Sequence, residues 1–216
     1  MKLGLREQKQ EVVRDALYAA AIELFAKKGF DETTLEEVAK TAGVSRRTFF
    51  RYFDSKDDLL SFPLVSFATI LVDAVRSSPA SHSPLQITQD AVLAGVRYTS
   101  EIEARTRQVI RISMHSTAAR QAYQSRMMKA EDDLAQAYAA RLNEPSPYEL
   151  RPRLLAALTL TVINAGLLSW FQGQHQDLGE AAKDALKKIR SILNDESSRR
   201  TESADKAKKN TIRPGR

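Results

Sequence analysis

Apolar residues recur every three to four positions over most of the chain, which is the spacing of one helix face. Alternation of the kind that strands require is absent from the pattern. The pattern therefore predicts an all-α protein of about nine helices. We expect them over residues 10–28, 35–42, 46–53, 56–76, 84–100, 103–115, 118–142, 150–172 and 179–193.

Glycine and proline mark several of the expected ends. Gly29 follows the first apolar stripe, and Gly43 separates two short helices. Pro63 lies inside the segment 56–76, where it predicts a kink or a stop, because proline has no backbone N–H to donate. Either Thr33 or Thr34 caps the second helix and Ser45 the third, since hydroxyl side chains accept from the first turn.

Composition excludes several classes of protein. The chain has no cysteine and three widely separated histidines, so disulfide scaffolds, thiolate nucleophiles and cysteine metal sites are excluded. No G-x-S-x-G, P-loop or H-E-x-x-H motif occurs. We therefore expect no enzyme, no catalytic residue, no cofactor and no metal. With neither a secretory signal nor an uninterrupted apolar run of membrane-spanning length, we expect a cytoplasmic protein with no membrane partner.

Positive charge is concentrated in one segment, although the whole chain carries only +6. Residues 33–56 read TTLEEVAKTAGVSRRTFFRYFDSK, two short helices joined around Gly43, which is the layout of a helix-turn-helix. The second helix carries three arginines together with aromatic and hydroxyl side chains, as a helix in a DNA major groove requires. A helical hairpin with a few surface arginines is the alternative that this spacing leaves open.

The segments ALYAAAIELFAKKGF and TTLEEVAKTAGVSRRTFFRYFDSKDDLL closely resemble the TetR family of bacterial transcriptional regulators. The resemblance implies a homodimeric regulator, usually a repressor, that binds palindromic operator DNA. It also implies a helical C-terminal domain that binds a small-molecule effector and thereby releases the DNA. The form GVSRRTFFRYF resembles an actinobacterial branch whose C-terminal domain is of an acyl-CoA-like type.

The resemblance also implies roles in DNA binding for individual residues. Hydroxyl groups at the starts of the two helices would bind phosphate, the first positions of the recognition helix would lie nearest the base edges, and its end would hold the DNA backbone. Phe50 stands where the family usually has tyrosine, so it lacks the hydroxyl that often binds phosphate. Arg6 and Lys9 precede the first predicted helix, as a minor-groove arm or as a disordered segment. The predicted contacts are Thr33, Thr34, Ser45, Arg46, Arg47, Thr48, Phe50, Arg51, Tyr52 and Lys56.

Polar and flexible side chains on otherwise apolar helices are candidates for an effector pocket. Asn164 either contacts a ligand or cross-links helices, because a buried amide must be satisfied. An inward-facing Arg111 would require an anionic ligand, whereas a solvent-facing one would favour a neutral or cationic ligand. The candidates are Tyr98, Arg111, Met114, His115, Tyr123, Met127 and Asn164.

Apolar positions at near-heptad spacing predict a dimer surface on the last two helices, which would form a four-helix bundle with a second copy. Packing within one subunit is the alternative. The predicted contacts are Leu154, Leu158, Thr161, Ala165, Leu168, Trp170, Leu186 and Ile189.

The chain is thus expected to contain three parts. A DNA-binding domain covers residues 1–55, an effector-binding and dimerisation domain covers 56–194, and a disordered basic tail covers 195–216, where hydrophobic residues are almost absent. The alternative function is a small-molecule-binding protein whose DNA-binding domain is vestigial.

Overall fold

The structure is a computed structural model that describes residues 5–192, with side chains from Gln8 onward. Over that range the chain forms ten helices and no strand, which confirms the predicted all-α class. The helices are α1 (Leu5–Lys28), α2 (Leu35–Thr41), α3 (Arg46–Phe49), α4 (Lys56–Leu60), α5 (Phe62–Ser77), α6 (Pro84–Glu101), α7 (Glu103–His115), α8 (Thr117–Leu142), α9 (Leu150–Phe171) and α10 (178–192).

The helix expected over residues 56–76 is divided into two, which accounts for the tenth helix. Ser61 ends α4, and its backbone N–H donates to the carbonyl of Asp57. Pro63 then occupies the first turn of α5, where its missing N–H has no helical partner to lose. The proline therefore marks a junction between two helices and not a kink within one.

The first helix begins earlier than the apolar pattern indicated, at Leu5 and not at Gln10. Lys9 consequently lies within a helix, which contradicts an extended minor-groove arm at that residue. The side chain of Arg6 and the predicted tail 195–216 lie outside the described residues.

The first three helices share a core of aromatic and aliphatic side chains. Leu17 and Phe25 of α1 are buried together with Val38 of α2 and Phe49 of α3. Phe53, which follows α3, meets the ring of Phe62 edge-on at a centroid distance of 5.4 Å. This packing positions the two short helices on α1, although neither is long enough to be stable alone.

By the density of its internal contacts, the chain divides after Thr159 into two compact units. In the first unit α5 packs on α6 and α8, and the buried hydroxyl of Tyr138 donates to Thr88 Oγ1 at 3.1 Å. In the second unit α9 and α10 approach closely at Gly166. A Cβ there would lie 3.2 Å from the backbone nitrogen of Ala182, so a side chain would force the helices apart.

One described helix, Leu150–Phe171, is long and apolar enough to cross a membrane by length and composition alone. The core helices of soluble proteins pass the same test, and 44% of its most apolar window is buried inside the structure. Its apolarity is thus weak evidence for a membrane span.

Candidate nucleic-acid interface

The start of α2 is held by Thr34 and not by Thr33. The Thr34 hydroxyl accepts from the backbone N–H of Glu37 at 3.3 Å, and the Glu37 carboxylate accepts from the Thr34 N–H at 2.9 Å, which is a capping box. Thr33 is only 1% exposed, and its hydroxyl donates inward to the carbonyl of Gly29. The expected DNA contact by Thr33 is therefore wrong, because its side chain is buried.

The carboxylate of Glu37 adds a negative charge beside Thr34. Lys28 donates to both of its oxygens, at 2.6 and 2.7 Å, and together with the Thr34 hydrogen bonds it lowers the pKa of Glu37 to about 2. The Thr34 hydroxyl also lies 3.0 Å from Glu37 Oε2, to which it donates. Thr34 is exposed, and a phosphate that accepts from its hydroxyl must displace the Glu37 carboxylate, so the predicted contact stays a prediction.

The turn between α2 and α3 depends on the backbone of Gly43. Its φ of +70° lies in the left-handed region that favours glycine. The N–H groups of Gly43 and Val44 donate back to the carbonyls of Lys40 and Ala39, at 3.1 and 2.9 Å. The chain is thereby turned sharply enough for α3 to begin at Arg46.

Ser45 caps α3 as expected. Its hydroxyl accepts from the Thr48 N–H at 3.1 Å and lies 2.9 Å from the Thr48 hydroxyl. Phe49 is completely buried beneath the helix. Because that ring fixes which side of α3 faces the core, the other side chains of the helix are directed toward solvent.

The exposed surface of α3 and the turn after it combines positive charge with an aromatic ring. Arg46, Arg47 and Arg51 are exposed, and Phe50 is 42% exposed. The Arg46 guanidinium lies 5.5 Å from the centre of the Phe50 ring, and its Nε donates to Glu36 Oε1 at 3.1 Å. This face can donate to base edges or phosphates, but Arg46 must first leave Glu36.

Tyr52 and Arg51 form a local pair at the end of the motif. The guanidinium of Arg51 lies 5.0 Å from the centre of the Tyr52 ring and donates to its hydroxyl at 3.2 Å. Arg51 is exposed and Tyr52 is half-buried. Both remain accessible to a DNA backbone, so their predicted contacts stay predictions.

Lys56 has an internal role that the sequence did not reveal. Its ammonium group donates to the carbonyls of Phe30 and Asp31, at 2.9 and 3.1 Å, and lies 5.0 Å from the centre of the Phe30 ring. The lysine thereby ties the start of α4 to the loop after α1. Lys56 is half-buried and keeps a third N–H donor, so its predicted contact with a phosphate stays a prediction beside this structural role.

The candidate pocket residues are not all buried, and four of the seven are exposed. Arg111, Met114 and His115 lie on the outer side of α7, because Val109 and Ile112 take its inner side; Met114 is 55% exposed. Asn164 is also exposed, so the premise that its amide is buried is wrong.

The other three candidates, Tyr98, Tyr123 and Met127, are buried or half-buried. The Tyr98 hydroxyl donates to the Pro63 carbonyl at 3.1 Å, and burial raises the pKa of Tyr123 to about 12. A groove between α5 and α8 is instead lined in part by Arg126, a residue that sequence reasoning missed. The mostly polar sequence of α8 contains no signal that singles out this arginine.

The predicted dimer residues differ in exposure. In the second unit Leu168 is 50% exposed, and Thr161 and Ala165 are exposed on the same side of α9. Leu186 and Ile189 on α10 are half-buried, and in the first unit Leu154 is exposed and Leu158 half-buried. Trp170 is only 3% exposed within the single chain. The expectation that Trp170 presents its ring to a partner is therefore wrong.

Comparison with known proteins identifies both parts of the chain. Residues 17–61 match the family model described as bacterial regulatory proteins of the tetR family, and residues 82–194 match that of the MftR C-terminal domain. The regulator TcmR of Streptomyces glaucescens is 31% identical over 85% of this chain and 87% of its own length. The mycofactocin biosynthesis regulator MftR of Mycobacterium tuberculosis is 28% identical over 74% of this chain and 81% of its own length.

A solved structure shares the fold. A TetR-family regulator from Syntrophomonas wolfei superimposes with a TM-score of 0.61 at 16% identity, covering 83% of this chain and 94% of that one. The relatives are transcriptional regulators and not enzymes, and no membrane-protein family is indicated. The chain belongs to the TetR family of bacterial transcriptional regulators, whose members bind DNA through the helix-turn-helix and carry a ligand-binding C-terminal domain.

Proposed function

We propose that this regulator acts as a repressor that binds a pseudo-palindromic operator as a homodimer, with α3 in the major groove of each half-site. The observation that carries the proposal is the burial of Phe49, which leaves Arg46 and Arg47 of α3 and Arg51 in the turn after it exposed. Arg47 and Arg51 are the strongest candidates for contacts to bases, since arginine donates two hydrogen bonds to guanine. Ser45, Thr48 and Tyr52 lie beside them as candidates for backbone contacts.

We assign dimerisation to the second unit. The exposed side of α9 carries Leu168, Thr161 and Ala165. An apolar stripe of this kind on a helix hairpin is covered when two copies form a four-helix bundle. Two-fold symmetry of the dimer would then match the two half-sites of the operator.

An effector regulates the operator complex only by binding the released form more tightly than the DNA-bound form. A coupling of about 1–3 kcal/mol would lower operator affinity about 5- to 150-fold. We assign effector recognition to residues 56–194 and DNA contact to residues 1–55. Members of this family are typically cytoplasmic, which agrees with an intracellular ligand and with DNA as the partner.

Selection of random duplex DNA by the full chain tests this proposal. The expected product is an inverted repeat, and fluorescence anisotropy should show that the double variant Arg47→Ala, Arg51→Ala loses most of its affinity for that duplex. Arg97→Ala, which removes an exposed arginine from α6, serves as the matched control and should bind as the wild type does. Recovery of no enriched sequence from a folded protein would favour a ligand-binding protein with a vestigial DNA-binding domain.

A further inference from the structure

Arg126 of α8 contacts α4 and the residue after it, which end the stretch 17–61 that matches the tetR family model. Its Nη2 donates to Asp58 Oδ1 at 2.8 Å, and its Nε donates to Ser61 Oγ at 3.4 Å. Asp58 lies in α4, and Ser61 is the buried residue at which α4 ends and α5 begins. Since α4 is the helix that follows α3 in the chain, this contact joins α8 to the segment next to the recognition helix.

The same guanidinium lines a groove between α5 and α8 with a volume of about 290 Å³. Ala68 and Val72 of α5 and Ala130 of α8 form an apolar floor and are buried. The groove extends from Val65 to Arg76 along α5, a distance of about 16 Å at the helical rise per residue. The groove is therefore long enough for a small elongated molecule.

Charge is distributed unevenly along the groove, in which α5 and α8 run parallel. Arg126 contacts Ser61, just before α5, whereas Arg141 donates to the carbonyl of Ser78, just after α5. Lys129 lies one turn from Arg126, so both cations line the end of the groove near α4. Asp133 lies two turns beyond Arg126 on α8, and Asp73 lines the other end together with Arg76.

Most of the charged groups in this lining are available to a ligand. Within residues 5–192, Arg76, Lys129, Asp73 and Asp133 form no ion pair. Among the cations of the groove in the described residues, only Arg126 forms an ion pair. Its partner is the carboxylate of Asp58, which lies outside the groove lining. A carboxylate that enters at this end would meet Lys129 and would compete with Asp58 for the guanidinium.

We infer that this groove binds an amphipathic carboxylate, whose acid group takes Arg126 from Asp58 and so loosens α4 from α8. The inference rests on the proposed regulatory function, because it names the ligand class and the contact through which binding affects DNA. The ligand places its apolar body over Ala68, Val72 and Ala130. If the operator complex requires the Arg126–Asp58 contact, ligand and DNA weaken each other's binding by the same factor.

Binding is tested with octanoate as the probe, by isothermal titration calorimetry on the full chain. Octanol and octylamine are the neutral and cationic controls. Octanoate should bind the wild type saturably, and binding should weaken about 10- to 100-fold in Arg126→Met, because hydrogen bonds to charged groups are the strong ones. Arg120→Met is the matched control, since Arg120 lies on the same helix and contacts the carbonyls of Ser113 and Met114.

Circular dichroism establishes that each variant is folded, and Arg126→Lys replaces the methionine variant if that variant is not. The lysine keeps the charge but not the two-pronged contact, so weaker octanoate binding is again expected. Three results would each refute the inference. The first is saturable binding of octanol with the same affinity as octanoate, and the second is octanoate binding by a folded Arg126 variant that equals that of the wild type. The third is the lack of saturable octanoate binding by the wild type.

Asp58→Asn tests the coupling. Asparagine keeps an oxygen acceptor but removes the competing charge, so octanoate should bind this variant more tightly than the wild type while its effect on operator affinity decreases. In the wild type, saturating octanoate should lower the affinity for the selected duplex about 5- to 150-fold. Octanoate that binds the groove without changing operator affinity refutes the coupling alone, whereas a wild type that selects no duplex refutes the proposed function.

Discussion

The ion pair between Glu36 and Arg46 predicts that an acidic residue on the DNA-facing side restrains DNA binding. Arg46 Nε lies 3.1 Å from Glu36 Oε1, and both side chains are mostly exposed. When α3 enters a major groove, Arg46 must leave this carboxylate before it donates to DNA. Glu36→Gln removes the charge with almost no change of shape, so the variant should bind DNA more tightly than the wild type.

The size of the effect follows from the exposure of the pair. Exposed ion pairs contribute about 0.2–1 kcal/mol, and a dimer breaks two of them, which gives about 0.4–2 kcal/mol. Operator affinity should therefore rise about 2- to 30-fold in Glu36→Gln. The ion pair is broken whichever DNA is bound, so the affinity for a random duplex should rise by a similar factor. The ratio of operator affinity to random-duplex affinity should therefore change little.

Fluorescence anisotropy at several salt concentrations measures the change, because exposed charges are screened within about 8–10 Å at physiological ionic strength. Glu149→Gln is the matched control: it removes one exposed acidic side chain outside the helix-turn-helix. In an Arg46→Met background the gain from Glu36→Gln should decrease to that of the control. Unchanged or weaker operator binding by Glu36→Gln would refute the reasoning and would indicate that Glu36 itself contacts the DNA.

Four further changes test other parts of the structure. Leu168→Glu should give monomers in sedimentation, whereas Met128→Glu, at another exposed apolar residue, should leave the dimer intact. Lys56→Met should lower the free energy of unfolding in urea by about 1–3 kcal/mol, since two carbonyls lose their donor; an unchanged midpoint would contradict this role. Arg47→Ala should relax base preference at one position of each half-site, at a cost of about 1–3 kcal/mol; equal loss on all duplexes would exclude a base contact. Because the pKa of Glu37 is lowered in the folded state from 4.5 to about 2, its contribution to stability is present above pH 4.5 and is lost as pH falls toward 2. Glu37→Gln should thus flatten that part of the stability curve in pH-dependent unfolding, and an unaltered slope would contradict the pairing with Lys28.

The sequence by itself determined the fold class and the position of the DNA-binding motif. Helical periodicity, Gly43 and the cap at Ser45 are local signals, because each acts within one or two turns of chain. Most helix boundaries were predicted to within a few residues for the same reason. The exceptions are the early start of α1, the division at Pro63, and α3, which was expected over 46–53 and ends at Phe49. The resemblance in residues 17–61 added the function, since the side chains that identify the motif are contiguous in sequence.

Only the tertiary structure decided which side of each helix faces inward and which charged groups meet. Periodicity defines a stripe on α7 but not whether Arg111 or Val109 lies beneath a neighbouring helix, and burial places Val109 inside. Lys56 meets the Phe30 carbonyl across 26 positions, and Arg126 meets Asp58 across 68. Such pairings depend on how distant helices pack, and the free energy of that packing is not encoded in the pattern of any single segment.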